Sequence, residues 1–149
     1  LEHDDAVLIA KVAPPSAGQV PTWPGKRLDL HCTSVGKCLI AYLPEHEMEA
    51  MVRARGLLRH NENTIVSLRK LKEELARTRN RGYAIDDEEE ELGNRCLGSP
   101  IFDRQGLAVA AVSLVGSTEQ IEPGNCEKLA EMVKQTGFEI SHRLGWTPA

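Results

Sequence analysis

Residues 31–43, His-Cys-Thr-Ser-Val-Gly-Lys-Cys-Leu-Ile-Ala-Tyr-Leu, run a hydroxyl-bearing loop straight into an apolar helical segment. Thr33 or Ser34 is the expected N-cap, because a short hydroxyl side chain satisfies a first-turn N–H that has no intrahelical partner. The remaining first-turn N–H groups stand at the positive end of the helix dipole. Such an end can bind a small anion with neither a metal nor a basic side chain, the competing reading of the segment being an ordinary capped helix. The segment contains Gly36-Lys37 but is not a nucleotide-binding P-loop. That motif needs a first glycine where this chain has His31, and a hydroxyl after the lysine where it has Cys38.

The rest of the chain alternates between strand and helix signals. Ala6–Ala13 reads as a buried strand ended by Pro14-Pro15, and residues 14–29 as an irregular loop or distorted strand. The first helix is expected over Ser34–Leu43, with Pro44 in the first turn of a second whose inner face carries Met48, Met51 and Val52. Ser67 is expected to cap a third helix with Leu68, Leu71 and Leu75 as its apolar stripe, Lys70, Lys72, Arg77 and Arg79 on its wet side and Gly82 at its end. Tyr83–Glu89 reads as a strand leading into the acidic run Asp86–Glu91, most of it expected to be solvated, and Gly93 closes the turn. Arg95–Phe102 and Leu107–Val115 form a hairpin around Asp103-Arg104-Gln105-Gly106, whose end residues suit a type I turn. A last helix spans Glu122–Leu144, with Cys126, Leu129, Ala130, Val133, Gly137, Ile140, Ser141 and Leu144 on one face. This order predicts an α+β fold, a largely antiparallel sheet with helices packed against it.

At 149 residues the chain is expected to be a single domain, large enough to bury a core without disulfides or metals. Hydrophobic residues at 41% and charged residues at 27% suit a globular protein, and a net charge of −4 argues against an overall nucleic-acid footprint. No apolar run reaches the roughly 20 residues that span a bilayer, and the first residues lack the charge of a signal peptide. No membrane role is therefore expected. The start at Leu1 suggests a fragment or a processed chain. Cys32, Cys38, Cys96 and Cys126 show no paired spacing, so a reduced, cytoplasmic setting is expected, with no metal. His3, His31 and Cys32 are the residues that the fold would have to bring together for zinc.

Pairing Phe102 with Leu107 across the turn sets Cys96 opposite Ser113 on one face of the sheet. Pro100 inside the strand makes a bulge or an edge position the competing possibility. Asp86, on the preceding strand, falls within reach of both if the acidic turn around Glu91 folds back tightly. Three polar residues on an otherwise apolar face, beside a helix start, suit a ligand site.

Several stretches together resemble the effector-binding domain of IclR-type bacterial transcription regulators. They are Leu30-His31-Cys32-Thr33-Ser34-Val35-Gly36-Lys37, Arg79–Glu89, Gly93–Asp103, Val112-Ser113-Leu114-Val115-Gly116 and Ile140–Trp146. The resemblance implies a GAF-like fold and a cytoplasmic sensor of small organic acids. A winged helix-turn-helix domain would precede Leu1 and do the DNA binding, and the domains would pair as homodimers or homotetramers. It also implies that an effector lies against the backbone of Ser34, Val35 and Gly36. Asp86, Cys96 and Ser113 would complete the pocket, and the segment Ala17–Val20, with Val20 among the ligand contacts, would form an apolar wall. Asp29, Leu92, Cys32 and Cys38 depart from the family pattern, which bears on the ligand more than on the fold.

An acid placed beside Asp86 raises a problem of like charges. Either Asp86 is protonated, or it accepts a hydrogen bond from a ligand hydroxyl while the ligand carboxylate sits on the helix start. The second arrangement favours hydroxy-, keto- or sugar acids, or hydroxylated aromatic acids. The competing reading is a GAF-like thiol redox enzyme using Cys96 with Cys32 or Cys38. No histidine stands near Cys96 in sequence to act as base, and Arg95 points to the opposite face. A non-enzymatic sensor without cofactor, and with no catalytic residues, is the expectation.

Overall fold

The computed structural model describes residues 5–15 and 22–148. His3 and the expected wall at residues 17–20, Val20 included, lie outside them. Strands β1 (Ala6–Val7) and β2 (Arg27–Leu28) pair antiparallel as a two-stranded ribbon. The buried strand expected over Ala6–Ala13 is therefore mostly absent. Ile9 and Val12 are 82% and 98% exposed, so among the described residues this apolar run has no neighbouring element to bury it.

Three helices follow: α1 (Ser34–Ile40), α2 (Glu45–Arg55) and α3 (Leu68–Arg81). Helix α1 ends before Leu43 because the chain turns ahead of Pro44, which holds the N-cap position of α2 rather than its first turn. Ser67 occupies the N-cap position of α3 without a side-chain bond, and Gly82 ends the helix in the left-handed conformation. Ile40, Ala41, Met48, Leu71 and Leu75 form the buried core between these helices, with Met51, Val52 and Leu68 packed against it.

The second half is a three-stranded antiparallel sheet in the order β3 (Ala84–Asp87), β4 (Asn94–Phe102), β5 (Ala108–Ser117), followed by α4 (Pro123–Arg143). The hairpin register differs from the expected one. Asp103 exchanges bonds with Leu107 inside the turn, with Asp103 N donating to Leu107 O at 3.0 Å. Asp103 Oδ1 accepts from the N–H groups of Gln105 and Leu107. Phe102 then pairs with Ala108, and an irregularity between Ile101 and Phe102 adds a further step. Gly98 thus faces Ser113, and Cys96 faces Val115. The shift is two residues in all, so the side chains keep their faces. Pro100 lies beyond the end of β3, where its missing N–H costs no ladder bond on that side.

The sheet is covered on both faces. A Cβ on Gly98 would stand 2.9 Å from the Ser34 backbone, so the start of α1 lies directly on this strand. A Cβ on Gly137 would stand 2.4 Å from Ser99 Oγ, so α4 closes the opposite face. Leu97, Ile121, Ala130 and Val133 fill the α4 side. The α1 side takes Asp86, Cys96, Gly98 and Ser113, the paired positions that share the other face.

Candidate functional site

Thr33 caps α1, its Oγ1 accepting from Gly36 N at 3.1 Å and donating to Asp29 O at 2.6 Å. The bidirectional use of one hydroxyl ties the helix start to the loop before it. Gly36 presses against that loop, since a Cβ there would stand 2.5 Å from Leu30 Cα. The N–H groups of Ser34 and Val35 take no acceptor among the described residues. Ser34 is buried, and its Oγ lies 2.9 Å from Ser113 Oγ. Sequence reasoning brought Ser34, Val35, Gly36 and Ser113 to one site, and the fold does place Ser34 on Ser113.

Asp86 pairs directly with Cys96 across β3 and β4. Cys96 and Ser113 lie diagonally on the sheet rather than face to face, as the register shift requires. Asp86 Oδ1 also accepts from Glu89 N at 2.9 Å and from Glu90 N at 3.4 Å. Burial pushes the Asp86 carboxyl up to about 6, against the pull of these backbone N–H groups and of Lys37. Burial, with the neighbouring Asp86 and Glu90 carboxylates, also pushes the Cys96 thiol well above its usual range. Cys38 is pushed up to about 12 by burial, and Cys32 is raised by burial and by Asp29. Thiols raised in this way stay protonated at neutral pH, the reverse of an activated nucleophile.

The acidic run is less solvated than its composition suggests. Asp86 and Glu89 are 3% and 7% exposed, because Glu88 adopts φ 58° and folds the turn back over α1. Lys37, fully buried on α1, donates to Ile85 O at 2.7 Å, forms a short ion pair with Glu89 and stands 4.0 Å from Glu74. Burial pushes Glu89 up to about 7 although Lys37 draws it down, and its Oε2 has no hydrogen bond among the described residues. Sequence reasoning missed this pair. The available signal was a lysine on the apolar face of α1 and an acidic residue three positions after Asp86.

Asp29, Cys32 and His60 bring a carboxylate, a thiol and an imidazole within 4.8 Å of one another beside the helix start. His31, the imidazole that the sequence offers for such a cluster, instead places Nε2 2.9 Å from Leu58 O.

Residues 1–142 match the family described as bacterial transcriptional regulator IclR C-terminal. The chain is 33% identical over 146 residues to the Escherichia coli HTH-type transcriptional regulator XynR, covering 98% of this chain and 58% of that one. It superposes on the crystal structure of Thermotoga maritima IclR with a TM-score of 0.91 at 36% identity, covering 96% of this chain and 58% of that one. A further similar structure is a double mutant of the inducer-binding domain of the Acinetobacter transcription factor PobR, in complex with 3-hydroxybenzoic acid. There the TM-score is 0.84 at 26% identity, with 95% of this chain and 83% of that one covered. The chain spans little more than half the length of the curated relatives it matches. The antiparallel sheet between α1 and α4, with its GAF-like arrangement, is the fold of those relatives. By its sequence over nearly its full length and by its fold, the chain belongs to the IclR family of bacterial transcriptional regulators, as their C-terminal effector-binding domain.

Proposed function

We propose that this chain senses a small hydroxylated organic acid, held between the start of α1 and the Asp86, Cys96 and Ser113 face of the sheet. The observation that carries this reading is the buried Asp86 carboxyl sharing one sheet face with Ser113, beside a helix start whose Ser34 and Val35 N–H groups lack acceptors. The ligand carboxylate takes those N–H groups, and its hydroxyl donates to Asp86. This arrangement keeps two like charges apart, and at neutral pH it uses Asp86 in the ionised form that accepts. Gly36 lets the loop close against the helix. The complex of a doubly substituted PobR inducer-binding domain with 3-hydroxybenzoic acid supports an acid bearing a hydroxyl, and aliphatic hydroxy-, keto- and sugar acids satisfy the same groups.

In this reading the chain is one domain with no catalytic residues, since its raised thiols disfavour cysteine chemistry and its relatives are named regulators. It works in the cytoplasm, pairs with further copies of itself, and controls a helix-turn-helix domain that precedes it. DNA is contacted by that domain alone.

A thermal-shift panel of small carboxylates identifies the ligand, because binding to the native state raises apparent stability by mass action. Asp86→Asn, Cys96→Ala and Ser113→Ala are each expected to weaken it by about 1–3 kcal/mol in calorimetry. Pairs of these changes should couple rather than add, because they share one ligand. Full affinity retained in all three variants refutes the pocket.

A further inference from the structure

We propose that Asp29, Cys32 and His60 form a binding site for a divalent metal ion of the zinc class. The three donors come from two segments, the loop before α1 and the loop between α2 and α3, and converge within 4.8 Å. His60 Nε2 and Asp29 Oδ2 already lie 2.8 Å apart. Thiolate, imidazole and carboxylate together are a donor set that suits zinc rather than calcium or magnesium, which prefer oxygen alone. Three protein donors leave a fourth tetrahedral position for water or a small anion.

The surroundings are those of a site rather than of a chance meeting. Both loops are held by hydrogen bonds outside the cluster. Thr33 Oγ1 donates to Asp29 O, fixing the backbone that carries Asp29 against the α1 cap. Thr64 Oγ1 accepts from the N–H groups of His60 and Asn61 and donates to Glu89 O at 2.7 Å. Asn61 Nδ2 donates to Glu88 O at 2.9 Å, so the His60 loop is fastened to the acidic turn. His31 stacks on His60 with ring centroids 6.5 Å apart. Backbone anchoring of this kind orients ligands before an ion arrives.

Access and proton balance suit an ion. The Cys32 side chain is buried beside the two more exposed donors. On binding a dication, Cys32 loses its proton to solvent, and the S–metal bond replaces the S–H bond. His60 and Asp29 keep 27% and 43% of their side chains exposed, so an ion reaches the cluster from the surface. The site rests on residues apart from the Asp86, Cys96 and Ser113 cluster, and it stands or falls independently of the effector reading.

The test is cobalt and zinc binding by the purified protein, stripped of metal with a chelator under reducing conditions. One cobalt per chain is expected, with the thiolate-to-cobalt charge-transfer band and the intense visible bands of a tetrahedral site, both displaced by zinc. Cys32→Ser should abolish the charge-transfer band. His60→Ala, on a partly exposed side chain, should leave the fold intact and weaken zinc by about tenfold or more. Cys126→Ser, whose thiol lies elsewhere, should change neither. A spectrum without the thiolate band in the unsubstituted protein overturns the site, as does zinc affinity unaltered by His60→Ala. If Cys32→Ser does not fold, the unsubstituted spectrum together with His60→Ala still decides. Loss of binding in Cys126→Ser would assign the metal to a different place and also refute the proposal.

Discussion

Asp86 and Lys37 carry the consequences that belong to single residues. The Asp86 carboxyl is raised from 3.8 to about 6, so between those values the folded chain holds a proton that the unfolded chain has lost. Its contribution to stability is therefore complete below about pH 4 and declines as pH rises through 6, a change on the order of 2–3 kcal/mol. Asp86→Asn removes that slope, and the difference between the two urea-denaturation curves from pH 4 to 7 measures it. A slope unchanged in the variant refutes the assignment. Lys37→Met strands Glu89 in the core and should destabilise by about 3–5 kcal/mol at pH 8. The cost should shrink towards pH 6, where Glu89 can take a proton, and Glu89→Gln should recover part of it in the double variant. If the double variant is as unstable as Lys37→Met, the loss lies in packing around the lysine stem instead.

At the scale of elements, the sheet works as a plate with two different covers. Gly98 admits the start of α1 on one face of β4, and Gly137 lets α4 close against the other face of the same strand. The same substitution should therefore have separable effects. Gly98→Ala pushes backbone against backbone at Ser34 and should cost about 1–3 kcal/mol of stability and lower effector affinity as well. Gly137→Ala meets Ser99 Oγ and Pro100 O on the far side, and should cost comparable stability while the folded fraction binds the effector normally. Chemical denaturation paired with calorimetry reads both quantities. An equal loss of affinity in the two variants would mean that the faces are not independent. Helix α1 itself is short, and its position rests on Thr33, Gly36 and Lys37 rather than on its length.

For the molecule as a whole, charge and exposed surface set the expectations. The net charge of −4 and the acidic turn disfavour phosphate, and the basic residues of α3 are engaged with acidic partners such as Glu73 and Glu74 or lie on its outer face. Residues 1–149 alone are expected to show no sequence-specific duplex binding at physiological salt in a gel-shift assay. Nanomolar specific binding by this chain would overturn the assignment of DNA contact to a preceding domain. Met132 and Phe138 on α4 and Leu107, Val109 and Val115 around β5 are exposed, and the chain is expected to form dimers or tetramers by light scattering.

What the amino-acid sequence determines by itself is local. Caps, turns and apolar periodicity act over a few residues, so Thr33, Gly82, the Asp103–Gly106 turn and the four helices were legible, with ends displaced where Pro44 intervened. The face that each strand residue takes was legible too, because parity survives a two-residue slip. Tertiary structure alone decided the rest. The register of β4 on β5 depended on bonds within the turn, and the apolar run after β1 found no neighbour among the described residues to bury it. The acidic run reads as solvated until its fold over α1 buries Asp86 and Glu89. Lys37 meets Glu89 across 52 positions, and Asp29 meets His60 across 31. Pairings of that reach leave no periodic signal in a chain, because their geometry exists only once the intervening elements have packed.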